Sequence, residues 1–185
     1  MNSRAYTHTR TLSNHLQQFI DWSGRAISWL VLAMVVITFC VVVLRYAFDT
    51  GWIALQESVS YLHSLVFLLG ASYTLKHNSH VRVDIFYSKL SEVGKAWVDL
   101  LGHLFILLPV MAFIIWISLP YVQDAWQVHE GSREAGGLPG VYLLKSLIIL
   151  MAAMLMLQGV AMMMECLLTV SRGGAARQND NGAAD

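Results

Sequence analysis

The residues able to ligate a metal or move a proton are few in this sequence, and most interrupt apolar runs. His63 and His103 each lie inside such a run, the pattern of a b-type haem anchor in which two histidines on facing helices hold one iron. Depth along the runs argues against it. His63 falls a few residues to one side of its run's centre and His103 about five to the other, a separation of roughly 12 Å at 1.5 Å per residue. His77, His80 and Asp84 offer nitrogen and oxygen ligands, but structural zinc sites use four ligands in paired spacings and no second pair accompanies these. Glu57, Asp99 and Glu165 stand near the ends of apolar runs, where a carboxylate is tolerated if it is partnered or reaches the interface. Glu57 is expected in the headgroup region, capped by or paired with Arg45, and Lys145 is expected to snorkel. There is no glycine-rich phosphate loop, no serine or cysteine nucleophile with a base, and no facing carboxylate pair. Neither catalysis nor a cofactor is expected.

The elements that must position these side chains follow from composition. Of 185 residues, 56% are hydrophobic and only 13% charged, about half the charged share of soluble domains. Ala26 to Leu44 contains 19 positions without a charge, enough at about 1.5 Å per residue to cross most of a hydrocarbon core near 30 Å thick. Three further runs behave alike. The fold class is therefore an all-α integral membrane protein with four spans at about 26–47, 55–75, 96–120 and 141–168, inside a membrane domain of residues 26–171. The first run is too long for a signal-peptide core and no small-residue cleavage site follows it, so it is expected to remain.

Before the first span, Leu12, Leu16, Phe19 and Ile20 fall on one side of a helix and Asn14, His15, Gln17, Gln18 and Asp21 on the other. Residues 1–25 are thus expected to form a tail and an amphipathic interfacial helix, with Trp22 and Trp29 at headgroup level. The segment 172–185 lacks apolar periodicity and is expected to be disordered. A short helix over Val122 to Val128 and a turn at Gly136 to Gly140 are expected in the long connection before the fourth span. Twelve Lys and Arg balance twelve Asp and Glu, so distribution matters rather than net charge. Basic residues concentrate in the N-terminal tail, the Lys76 to Lys95 loop and the C-terminal tail. The positive-inside rule then puts both termini and that loop in the cytoplasm. The 2 cysteines, Cys40 and Cys166, fall at opposite depths and are expected to be free thiols.

In the second span Glu57, Ser60, Ser64, Ala71 and Thr74 follow three- and four-residue steps, with Phe67 among them, and form a small, polar packing surface, either inside the bundle or against another protein. Asp84 is placed to cap a short helix over Ile85 to Leu90, with Lys76 and Arg82 supplying the loop's positive charge.

The stretch from Trp52 to Leu90 resembles the small membrane subunit of tripartite ATP-independent periplasmic (TRAP) transporters. The resemblance extends over nearly the whole chain. It is carried by LRYAF (Leu44 to Phe48), Glu57, Gly70-Ala71 followed by His80-Val81-Arg82-Val83-Asp84, and GGLPGVYLLKSL before the fourth span. It implies an inner-membrane protein that works with a large membrane subunit and a periplasmic substrate-binding protein to import an organic acid, with the bilayer as its other partner and no nucleic acid. It further implies that the large subunit holds the substrate and sodium sites and moves, while the small subunit is a static scaffold. Arg45, Glu57, His80, Arg82 and Asp84 are then structural or interface residues, with Ser60 and Ser64 on the contact stripe. Family members often have two adjacent acids where this chain has Gln56-Glu57, so any role of the pair rests on Glu57. The alternative is a haem- or quinone-linked membrane anchor of a redox complex.

Overall fold

The computed structural model describes residues 3–77 and 87–182, with side chains over 16–77 and 87–171. Every regular element within them is helical: α1 (Ser3–Ala47), α2 (Ile53–Lys76), α3 (Glu92–Gly102), a π-helical turn (His103–Leu107), α4 (Leu108–Gln127) and α5 (Val141–Gly182). Because α3, the π turn and α4 follow without a gap, they make one rod. Among the described residues four rods are long and apolar enough to cross a membrane. The four-span, all-α membrane fold expected from the sequence is the one observed.

Helix α1 carries the amphipathic segment and the first span without a break. Its 32-residue stretch Leu16–Ala47 is about 48 Å long at 1.5 Å per residue, against a hydrocarbon core of about 30 Å. It must tilt or project beyond the bilayer. Ile20, on the apolar side of the amphipathic segment, is 1% exposed and packs into the bundle, whereas its neighbours Phe19 and Trp22 face outward.

The third rod has two irregularities with one chemical origin. Pro109 has no N–H for the carbonyl four residues back, and its ring crowds that carbonyl. The preceding turn widens, so that the Leu108 N–H reaches the His103 carbonyl, the i→i−5 bond of a π bulge. Pro120 lies inside α4, yet the helix continues to Gln127; the segment after Tyr121 extends this rod rather than forming a short separate helix. At the start of α3, Ser91 caps by accepting the Gly94 N–H at 3.2 Å.

Helix α5 is the centre of the bundle and packs on each of the other three rods. Ala152 and Ala161 are fully buried on it, small residues that let neighbouring backbones come close. The α1–α2 crossing is tighter still. A Cβ on Gly24 would lie 2.1 Å from a ring carbon of Tyr73, so the ring fills the space that only glycine leaves. Val35, Val36, Phe39, Phe105, Trp116 and Ile117 face outward, as lipid requires. The α5 backbone continues to Gly182, past Arg172, where the apolar period ends.

Candidate functional site

The polar residues gather at the two ends of the bundle and along one face of α2. At the first end, the chain after α4 turns sharply. His129 takes a left-handed conformation (φ 46°), the Glu130 N–H bonds the Ala125 carbonyl at 2.9 Å, and the His129 N–H bonds that of Trp126 at 3.3 Å. This is a Schellman stop with histidine in place of the usual glycine. The connection then folds back on itself, the Ser132 N–H donating to the Leu138 carbonyl at 3.0 Å.

Glu57, in the first turns of α2, fastens that connection. One carboxylate oxygen accepts the Ser132 hydroxyl and the other accepts the Leu138 N–H at 2.7 Å. Gly137 makes the approach possible: a Cβ there would stand 2.5 Å from the Ser132 Cβ and 2.8 Å from the Glu57 Oε2. A second clamp joins the connection to α5, where Lys145 bonds Glu130 and lies 3.9 Å from the centre of the Tyr121 ring, close enough for a cation–π contact. Trp126 donates its indole N–H to Ser146 at 2.8 Å and meets the Tyr142 ring edge-on. Three rods are thus locked together through one loop.

At the opposite end Lys76, closing α2, lies 2.5 Å from Asp21 of α1 and donates to the Gln17 carbonyl at 2.9 Å. His77 is 3.3 Å from the same carboxylate, and the Gln17 amide bonds Glu165 of α5. Tyr87 donates to Asp99 at 2.6 Å, and the buried His103 places Nδ1 2.5 Å from the Asp99 carbonyl. The Lys76, His77 and Gln17 contacts cross between rods, while those of Tyr87 and His103 fasten the third rod to itself and to the segment before it.

Between the two ends, one row of α2 turns away from the bundle. Ile53, Gln56, Ser60, His63 and Phe67 are its exposed positions, spaced three, four, three and four residues apart. Phe67 stacks on the His63 ring at 6.2 Å; the Gln56, Ser60 and His63 side chains have no hydrogen-bond partner among the described residues. Of the four spans, α2 is the least apolar, and none of its most apolar stretch is buried in the bundle.

Several sequence expectations change accordingly. Glu57 is held by Ser132 and Leu138 rather than by Arg45, which is exposed at the end of α1. Lys145 does not simply reach for headgroups; it has an acid and an aromatic ring as partners. Of the expected packing stripe, Ser60 and Phe67 face outward, Glu57 turns toward the loop, and Ser64 is half-buried, donating to the Ser60 carbonyl at 2.9 Å. His63 faces outward and His103 inward on different rods, and no contact joins them among the described residues. There, too, no three His, Cys, Asp or Glu side chains come together. His80, Arg82 and Asp84 lie outside the described residues, as does most of the helix expected over Ile85 to Leu90. Glu130 and Ser132 were invisible as functional residues, and Gly137 was read only as part of the turn-forming GGLPG at Gly136 to Gly140.

The profile of the family described as "Tripartite ATP-independent periplasmic transporters, DctQ component" matches residues 34–169, well over half of the chain. Neither the curated proteins nor the solved structures provide a significant match.

Proposed function

The chain belongs to the DctQ component family of tripartite ATP-independent periplasmic transporters, and from that premise we propose that it is a fixed frame for a larger moving subunit. As a DctQ protein it is the small subunit of a TRAP transporter, a multi-pass membrane component of a family that is not an enzyme class. The finer reading is that it sits in the inner membrane with both termini cytoplasmic, the Glu57 end facing the periplasm. It pairs there with a large membrane subunit that imports an organic acid delivered by a periplasmic binding protein. The basic residues of the tails and of the Lys76 to Lys95 loop support that orientation.

The observation that carries the frame reading is the outward row of α2. A polar side chain facing hydrocarbon is unfavourable by about 1 kcal/mol or more unless something satisfies it, and Ser60 and His63 find nothing within their own bundle. A partner helix with complementary hydrogen-bonding groups removes that cost. The two clamped ends support the same reading, since they tie all four rods into one body. Arg45, Ser64, His80, Arg82 and Asp84 are assigned structural or interface roles.

The test is reconstitution. In liposomes the chain alone is expected to move no solute, and with the large subunit and binding protein organic acid uptake is expected to appear. The tagged chain is expected to retain the large subunit through purification. Uptake by the chain alone would overturn the proposal, as would a large subunit that transports at full rate without it.

A further inference from the structure

The reversal between α1 and α2 encloses a polar cavity of about 310 Å³, whose lining includes Arg45, Asp49, Thr50, Trp52 and Gln56. Its two charged residues have opposite signs and four-residue spacing, the separation at which helix side chains pair. They do not pair. Helix α1 ends at Ala47, and Asp49 turns to φ 50°, which takes the acid out of helical register. Neither side chain forms an ion pair or hydrogen bond among the described residues. The cavity therefore offers one unpaired cation and one unpaired anion to whatever enters.

Its surroundings set the depth. Tyr46, Phe48 and Trp52 are exposed around the rim, the aromatic belt of a membrane–water interface. Toward the middle of the bundle, the same two helices form a second cavity of about 410 Å³, lined by Met34, Val35, Thr38, Phe39, Val42 and Val59. It is almost wholly apolar. Val42 lies one helical turn from Arg45, and Val59 one turn from Gln56, so the apolar groove lies directly below the polar cavity. A charged pocket at interface depth over an oily groove has the layout of one phospholipid.

We propose that the α1–α2 hairpin binds a phospholipid with a zwitterionic, primary-amine headgroup: phosphate on Arg45, ammonium on Asp49, and an acyl chain along the Val35–Phe39–Val42 groove. Guanidinium matches phosphate with two parallel N–H···O bonds. A carboxylate accepts hydrogen bonds from a primary ammonium but none from a quaternary one, which has no N–H. A headgroup with net negative charge would leave Asp49 facing an anion. Phosphatidylethanolamine meets all three conditions, phosphatidylcholine fails the second, and phosphatidylglycerol, with no amine and a net negative charge, fails the second and third.

The experiment uses the purified full chain, exchanged into detergent with equal amounts of phosphatidylethanolamine, phosphatidylcholine and phosphatidylglycerol, and reads retained lipid by native mass spectrometry. One phosphatidylethanolamine per chain is expected, preferred over either competitor by about tenfold, the effect of one charge-assisted hydrogen bond. Asp49→Asn should abolish the preference over phosphatidylcholine, and Arg45→Gln should weaken retention of all three. Val59→Trp, which fills the groove without touching the charges, should release the lipid while circular dichroism shows the helices intact. Soluble glycerophosphoethanolamine should not compete, because it lacks the chain that occupies the groove. Equal retention of the three lipids, retention unchanged in Arg45→Gln, or full competition by the soluble headgroup would each overturn the assignment.

Discussion

Glu57 illustrates how a carboxylate is made tolerable at the edge of a bilayer. It is neither exposed to water as a free charge nor paired with a cation; it accepts one hydroxyl and one backbone N–H from a single loop. Hydrogen bonds to an ionised acceptor are stronger than neutral ones, so this residue sets the loop's position. Glu57→Gln keeps one oxygen to accept and should loosen the loop partly, whereas Glu57→Leu should release it. Hydrogen exchange at the Leu138 amide checks this: protection should fall in the order wild type, Gln, Leu. Gly137→Ala should mimic the leucine variant, since a methyl group there collides with both the clamp and Ser132. If Leu138 exchanges at the same rate in all four proteins, Glu57 does not hold the loop.

At the scale of the helices, close approach and buried polarity pull stability in opposite directions. Gly24 lets the Tyr73 ring lie against the α1 backbone, and the ring also meets His77 at 4.3 Å. Gly24→Ala must push that ring aside, a loss of about 1–3 kcal/mol typical of overpacking. Gln158, by contrast, sits at the centre of α5 with 1% exposure, and both atoms of its amide lack a partner among the described residues. Removing an unsatisfied buried amide recovers its desolvation cost, so Gln158→Leu should raise unfolding stability by about 1 kcal/mol or more. Chemical unfolding of the purified chain measures both. A stabilised Gly24→Ala would mean that the α1–α2 crossing has slack, and a destabilised Gln158→Leu would mean that the amide has a partner in the membrane.

For the whole molecule the decisive property is where polarity ends up. Three rods show lipid an apolar surface, and the fourth shows it Ser60 and His63. Replacing these two with leucine should leave insertion and helix content unchanged, because leucine is the better residue against lipid. The same double variant should lose the large subunit on co-purification. That combination separates a docking face from a folding defect. Retention of the large subunit at wild-type yield would place the contact elsewhere on the bundle, while leaving the scaffold reading to the liposome experiment.

The number of spans, their approximate limits and the membrane class were legible in the sequence, because hydrocarbon imposes a single requirement, about twenty apolar residues per crossing, that composition alone meets or fails. The family resemblance was legible too, in motifs that the matching profile spans. The expectation that Glu57 would be satisfied rather than free was sound, but the partner was not, because Ser132 and Leu138 lie far along the chain and nothing local connects them to α2. Which part of the α2 stripe turns away was open for the same reason: helical periodicity says which residues share a face, and only packing against α1 and α5 says which face is turned away. The unpaired Arg45 and Asp49 show the limit most clearly. The sequence pattern pairs Arg45 with Glu57 and passes over Asp49; only the observed end of α1 at Ala47 and the left-handed turn at Asp49 bring the two charges to one cavity without pairing them. One-dimensional pattern thus determined the solvent in which this protein lives; partners, faces and cavities were decided only when distant segments met in three dimensions.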